Sequence, residues 1–358
     1  MEIRIASSPG EARIAVLDGE TLEDFALWRP GRPDGYGDIH LVRVTAPMDA
    51  LGGAFVILAD GSEGFLTGKH KEGALVTAQV TRSPQGGKGL RLKPVDAPVP
   101  ETTGPQLLAH GPTPLEAIAR AYPDADILID DPAVAAMLPA LLRPRIRRVL
   151  AAFDSTTDAL CDALGDPTAD LTGGLRATFT PTPALVAIDL DNPMPDARQW
   201  RPVAQVGANI RAIPSLCREI RLRNLSGAIM VDPAGITPRK RAALVPAMQE
   251  GFRSDPQSPQ TLGVTALGLI EIVRPRGRTP LHELLRSPHG TGLSALKAIL
   301  ARRPTRVTVP PTLRAAIPVI RALEADTLAL DAFATAYGAR LVLDMAPDFP
   351  LTFWRQDP

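Results

Sequence analysis

From Glu2 to Pro94 hydrophobic and polar positions alternate in short runs: EIRIA, ARIAVLDG, IHLVRVTA, GGAFVILAD, EGFLT, LVTAQVTR and KGLRLKP. Gly, Pro and Asp turns separate them. Successive side chains of a strand point to opposite faces, so this period of two predicts β-strands. A Pro- and Thr-rich linker, DAPVPETTGPQ, follows. After Gln106 the period changes. TPLEAIARAY, DILID, PAVAAMLPALL, RRVLAAF and TDALCDAL predict alternating helices and strands. In ILIDDP, Asp131 before Pro132 has the pattern of a helix N-cap followed by proline at the first helical position.

The segment from Gly173 to Gly277 is the most informative. GGLRATFTPTPALVAIDLD predicts a hairpin whose second arm, ALVAID, is a continuous apolar run ending in Asp189. A helical stretch near Val203 to Arg223 follows, then a second apolar strand, SGAIMVD, ending in Asp232. Strand, helix and strand in that order predict a βαβ unit with parallel strands. A further helix, TPRKRAALVPAMQEGF, leads to a strand pair in TLGVTALGLIEIVRPRGR. The residues from about Leu293 onward predict a small separate α+β module. About five of the early runs, from Asp38 onward, have together the size of an oligonucleotide-binding (OB) barrel. The fold class is therefore multidomain α/β with a β-barrel.

Composition narrows the functional classes. The 358 residues carry 39 Lys plus Arg and 39 Asp plus Glu, so the net charge is zero. No global positive field attracts nucleic acid, and such binding must rest on local patches. Two cysteines, Cys161 and Cys217, stand far apart and make neither a disulfide framework nor a zinc motif. No apolar run approaches the roughly 18 residues of a membrane span, so the expected location is the cytoplasm.

Asp189 and Asp232 each end an apolar strand, and ligands of open α/β sheets bind beyond the carboxyl ends of the strands. On neighbouring strands the two carboxylates would reach one point and could hold Mg²⁺ or Mn²⁺ together with waters and phosphate oxygens. The alternative is that each merely caps the next turn. Asp191 and Asn192 add oxygen ligands, although DLDNPMPD lacks the glycine and glutamate of a calcium loop. Phe55 and Phe65 fall on consecutive barrel strands in a chain with 4% aromatics. Exposed, they would stack bases; otherwise they are barrel core. Lys88 and Arg91 on the adjoining run could track a phosphate backbone. Arginine clusters, among them Arg221 and Arg223 in REIRLRN and Arg274 to Arg278 in RPRGR, are phosphate ligands or solvated faces. GGKGL is not a P-loop, and GTGLSA follows no strand, so neither predicts a nucleotide site.

These residues together resemble the catalytic region of the ribonuclease E/G family of bacterial endoribonucleases. GDIHLVRVTAPMDALGGAFVILADGSEGFL resembles that family's RNA-binding OB barrel, and the resemblance implies base stacking at Phe55 and Phe65. ILIDDPAVAAML resembles its non-catalytic ribonuclease H-like subdomain. GGLRATFTPTPALVAIDLDN and IRLRNLSGAIMVDPAGITP resemble its DNase I-like nuclease subdomain. The implied domains are residues 1–34 with 97–172 (ribonuclease H-like), 35–96 (barrel), 173–285 (nuclease) and 286–358 (a small C-terminal domain). The family's metal-binding aspartates match Asp189 and Asp232, at the family's interval. The implied activity is Mg²⁺-dependent internal cleavage of single-stranded RNA, with Asp191 supporting and Lys88, Arg221 and Arg223 holding the strand.

The departures are specific. The chain passes from KGLRLKP almost directly to the ribonuclease H-like part, without the domain that senses a 5′-monophosphate. Ser287 and His289 stand where the family's zinc-link cysteines would lie, so no zinc is expected, and a homodimer is left open. Asp191 replaces the family's asparagine. The competing expectation is a non-catalytic RNA-binding protein of the same descent.

Overall fold

The computed structural model describes residues 1–97, 104–193 and 202–357, so part of the expected linker and of the stretch after Asn192 lies outside the described residues. The chain forms two compact units. One comprises Met1–Pro33, Thr113–Cys161 and Leu281–Pro358, the other Asp34–Pro112 and Asp162–Pro280.

In the first unit the N-terminal runs pair as the alternation predicts. Glu2–Ser8 lies antiparallel to Glu11–Asp18, which pairs with Thr21–Trp28, and parallel to Asp126–Ile129. Ile3, Ile5, Ile14, Ile127 and Ile129 are fully buried against Leu115 and Ile118 of the helix Pro114–Ala121. That helix starts where Thr113 and Glu116 satisfy each other's backbone N–H groups, at 3.1 and 2.7 Å. Asp131 caps the next helix, accepting from the Ala133 N–H at 2.7 Å, as its place before Pro132 predicts.

The C-terminal elements belong to this unit. Helices Pro288–Ala301, Ile317–Glu324 and Thr327–Tyr337 pack on a small sheet in the order Val342–Met345, Thr312–Ala315, Trp354–Asp357. Gly10, at φ +80°, lies so close to Ala329 and Leu293 that a Cβ would collide with both. Arg29, paired with Glu11 at 2.8 Å, donates to the Leu284 carbonyl at 3.2 Å. What reads in sequence as a separate module is therefore packed against the first sheet. GTGLSA lies inside the helix Pro288–Ala301, where Gly292 meets Leu323.

The second unit holds the barrel and the larger sheet. Five strands close on themselves: Ile39–Met48 pairs with both Gly53–Ile57 and Leu75–Arg82, and Glu63–Thr67 and Leu90–Pro94 complete the ring. Val42, Val44, Ala54, Val56, Leu66 and Leu92 fill its interior. The short strand Gln106–Ala109 pairs on the outer edge with Ile39–Met48. The six-stranded sheet runs Thr168–Asp170, Arg176–Pro181, Val186–Asp191, Gly227–Asp232, Ile270–Arg274, Gln260–Val264. The helices Pro202–Leu222 and Val245–Gly251 cover one face, burying Ile213, Leu216, Ile220 and Met248 against Ile188, Ile229, Val231 and Ile272. Val186–Asp191 and Gly227–Asp232 are parallel neighbours joined through the long helix, which is the expected βαβ unit. The Val186–Asp191 strand is buried on one face only: Val186, Ile188 and Leu190 are in the core, while Asp189 and Asp191 are exposed on the other side.

The barrel is tied to this sheet by a hairpin. The Ser83 N–H donates to the Gly277 carbonyl at 2.9 Å, and Gln85 Nε2 donates to the same carbonyl at 3.0 Å. Ser226 bonds Gln85 Oε1 at 3.2 Å, and Arg278 grips Asp34 with one nitrogen, at 2.6 and 2.7 Å.

Candidate active site

Asp189 and Asp232 are direct register partners on adjacent parallel strands. Strands so paired lie about 4.8 Å apart, and partners point to the same face, so both carboxylates project from the uncovered face at the carboxyl ends of the strands. Asp191 shares that face two positions further along. The crowding has an electrostatic signature. The Asp189 carboxyl is held above the ordinary carboxylate range, first by partial burial, then by the negative charges of Asp191 and Asp232, and by a hydrogen bond with Asp191.

Two groups unforeseen in the sequence shape this end of the sheet. Arg241 donates from Nη1 to Asp232 Oδ1 at 2.6 Å, while its other bonds run to the carbonyls of Ile236 at 2.8 Å and Gly268 at 3.0 Å. It fixes the Asp232 carboxylate by one oxygen. Asn209, buried in the long helix, clamps the loop after Asp232. Its Nδ2 donates to the Ala234 carbonyl at 3.0 Å, and its Oδ1 accepts the Ala234 N–H at 3.1 Å. A cavity of about 530 Å³ opens beside this loop, lined by Asp191, Asn192, Gln205, Asn209, Arg211 and Gly235, with other residues of the same elements.

Residues 148–277, which contain both strands and both aspartates, match the Ribonuclease E/G family. This segment is similar to the Ribonuclease E/G family. The chain is 29% identical over 119 residues to Ribonuclease E of Nostoc sp. (strain PCC 7120 / SAG 25.82 / UTEX 2576), covering 33% of this chain and 17% of that protein. It is 28% identical over 158 residues to Ribonuclease E of Synechocystis sp. (strain ATCC 27184 / PCC 6803 / Kazusa), 41% of this chain and 23% of the relative. Ribonuclease G of Escherichia coli (strain K12) is 31% identical over 78 residues, 22% of this chain and 16% of the relative. The chain thus spans less than a quarter of the length of these relatives.

The same segment also holds the arginines of REIRLRN. Arg223 is only 6% exposed, pairs with Glu219 at 3.0 Å and donates to the carbonyls of Leu164, Asp166, Ala163 and Thr168. Its guanidinium also lies 4.5 Å from the Phe179 ring centre. It is a structural clamp, and the expected hold on RNA phosphates does not fit its burial. Arg221 lies at the carboxyl end of the same helix, some 18 Å along the axis from Asn209 at 1.5 Å per residue, and so away from the aspartates. Arg274 forms a buried two-point pair with Asp255, at 2.8 and 3.2 Å, and Arg278 serves Asp34.

On the barrel, Phe55 and Phe65 are register partners whose rings meet edge to face, 5.7 Å between centres. Phe55 is 39% exposed and Phe65 half-buried, while their neighbours Ala54, Val56 and Leu66 point inward. The pair is therefore on the outer face and is not barrel core. Arg91 stands across from Phe65, its guanidinium 6.0 Å from the ring centre. Lys88 is exposed, but it sits in the turn Gln85–Lys88 and not on the adjoining strand, which starts at Leu90. Ser287 caps the helix Pro288–Ala301, accepting from the Gly290 N–H at 2.9 Å, and His289 Nε2 lies 2.8 Å from buried Asp326 Oδ2. Both cysteines are buried, and burial pushes the Cys217 thiol up to about 12. Among the described residues no helix is long and apolar enough to cross a membrane.

Proposed function

We propose that this protein is an endoribonuclease that cuts single-stranded RNA internally, using Asp189 and Asp232 to hold one divalent cation, Mg²⁺ or Mn²⁺. The observation that carries the reading is the register pairing of the two carboxylates at the carboxyl ends of parallel strands within a segment matching the Ribonuclease E/G family. The residues present fit such an ion. Two negative charges crowd one exposed point, as the raised Asp189 carboxyl reports, and a cation relieves that cost. Among the described residues no group of three or more His, Cys, Asp or Glu side chains is placed to hold a metal, so among them the pair Asp189 and Asp232 would hold the ion. That suits a hard ion that keeps waters and takes phosphate oxygens as its remaining ligands. When bound, the ion supplies Lewis acidity to the scissile phosphate and lowers the pKa of a bound water.

The chain's own residues do the rest. Arg241 holds Oδ1 of Asp232 and so orients the carboxylate that would hold the ion, and Asn209 keeps the following loop in register with the helix. Asp191 adds negative charge beside Asp189. Phe55 and Phe65 stack bases of the bound strand, and exposed Lys88 attracts its backbone. A cytoplasmic location fits this role.

One observation favours a second reading. The Arg241 bond already neutralises part of Asp232, as it would in an RNA-binding protein that had lost the chemistry. The test is incubation of a 5′-labelled A/U-rich single-stranded RNA with Mg²⁺ and the wild type, Asp189→Asn or Asp232→Asn. Internal cuts lost in both variants support the endoribonuclease. Wild type that binds the RNA and leaves it whole supports the second reading.

A further inference from the structure

The outer face of the barrel continues beyond the aromatic pair. Phe55 pairs with Phe65, Phe65 with Arg91, and Arg91 with Arg82, so four side chains stand in one row across four strands. Arg82 is half-buried, and its Nη2 donates to the Gly89 carbonyl at 2.9 Å, but its Nε is buried with no hydrogen-bond partner. A third guanidinium comes from the sheet. Arg276, exposed in the loop after Ile270–Arg274, lies over Gly227, where any Cβ would collide with it. Burial and the positive charges of Arg91 and Arg276 all act to lower the Arg82 pKa. No ion pair of Arg82, Arg91 or Arg276 is formed among the described residues.

Three other arginines of the unit differ. Arg223, Arg274 and Arg278 each meet a carboxylate within 3.0 Å. Three like charges drawn together without an acid cost free energy that an anion would recover. We propose that Arg82, Arg91 and Arg276 form a phosphate-binding site at the seam between barrel and sheet, which takes backbone phosphates of the RNA strand whose bases stack on Phe55 and Phe65. The proposal rests on the RNA-binding part of the reading above.

Continuity with the aromatic row favours RNA over a free anion. Neighbouring strands are about 4.8 Å apart, so Arg91 and Arg82 stand about 5 and 10 Å beyond Phe65, within reach of the phosphates flanking a stacked base. The site is also remote from the cut. Ile270–Arg274 runs antiparallel to Gly227–Asp232 with Gly227 opposite Arg274, so Arg276 is at the far end of the strand from Asp232. Five residue steps at about 3.3 Å put some 17 Å between them. The strand is thus anchored at one end of the sheet and cut at the other, which sets the cut at a fixed offset from the anchored bases.

The test uses the full-length protein and a 3′-fluorescein A/U-rich single-stranded RNA without divalent ions, so that binding is read without cutting. Arg276→Ala should weaken binding about three- to tenfold and make the slope of log K against log salt shallower by about 0.7, one phosphate contact on a single strand. Arg276→Lys should keep the wild-type slope. Wild-type affinity and slope in both Arg276→Ala and Arg91→Ala would overturn the phosphate site and leave the endoribonuclease reading intact. A wild type that binds no RNA but still cuts it would overturn the site as well. If inorganic phosphate at millimolar concentration binds the wild type and not Arg276→Ala, while RNA affinity is the same in both, the site belongs to a free anion and the proposal fails.

Discussion

The two ends of the six-stranded sheet treat charge in opposite ways. At the end where Gly227 meets Arg274, charges are mostly spent: Arg274 is paired with Asp255 and also bonds Asn224 and the Leu225 carbonyl, and Arg223 is ringed by backbone carbonyls. At the end where Asp189 meets Asp232, carboxylates crowd on an open face, and partial burial together with the neighbouring charges raises the Asp189 pKa. A buried charge with every partner supplied holds the fold together, whereas exposed like charges held in register cost stability and need a ligand to justify them. The Arg82, Arg91 and Arg276 group is the cationic counterpart, and it marks the exception at the first end.

The largest effect should come from breaking the satisfied end. Asp255→Ala leaves the Arg274 charge buried and unpaired, and should cost about 3–5 kcal/mol in urea or thermal unfolding. A loss under about 1 kcal/mol would show that the pair is not what closes that end. Next comes the barrel platform: Phe55→Ala with Phe65→Ala should weaken single-stranded RNA binding by roughly tenfold or more, while the melting temperature stays near wild type because neither ring fills the barrel. Unchanged affinity would remove the platform from the account.

Arg241 tests the boundary between the two behaviours, since it is a satisfied arginine at the unsatisfied end. Arg241→Lys keeps the charge but loses the bridge to Ile236 and Gly268, and should lower cleavage about tenfold without changing RNA affinity. The smallest effect is a pH dependence in the other unit. Burial opposes ionisation of Asp326, yet its bonds with His289 and the Ala329 N–H hold its pKa below the ordinary carboxylate value. Its contribution is therefore complete above the unfolded carboxylate value near 3.9 and is lost as pH falls through the lower folded value. Asp326→Asn should lose less stability than the wild type as pH falls below about 4; equal acid sensitivity would contradict the pairing.

Much of this was legible in the residues, and the misses have physical reasons. Two apolar runs, each ending in aspartate and separated by a helix, predict parallel neighbours, and the register follows because both runs must bury the same face. The barrel was legible from period-two alternation, but whether Phe55 and Phe65 point in or out depends on which residues of each strand close the core. Arg223 was not legible. Its partners are carbonyls 55 to 60 residues away, and an arginine in a basic cluster looks the same whether it meets RNA or a loop. Lys88 was placed on a strand because KGLRLKP alternates, yet Gly86 and Gly87, at φ +60° and +70°, make a turn that ends only at Lys88. The C-terminal elements looked separate because the contacts that join them to the rest of the unit, among them Gly10 with Ala329 and Leu293 and Gly31 with Asp326, link positions far apart in the sequence.

The most direct test measures cleavage and melting together in two single variants. Asp189→Asn should reduce Mg²⁺-dependent RNA cleavage by at least about a hundredfold, on the scale of losing a principal electrostatic group in an active site, while leaving the metal-free melting temperature unchanged or higher as the crowding is relieved. Asp255→Asn should do the reverse, lowering the melting temperature while cleavage per folded molecule stays at the wild-type level. Full cleavage by Asp189→Asn, or a fall in its stability like that of Asp255→Asn, would contradict the account.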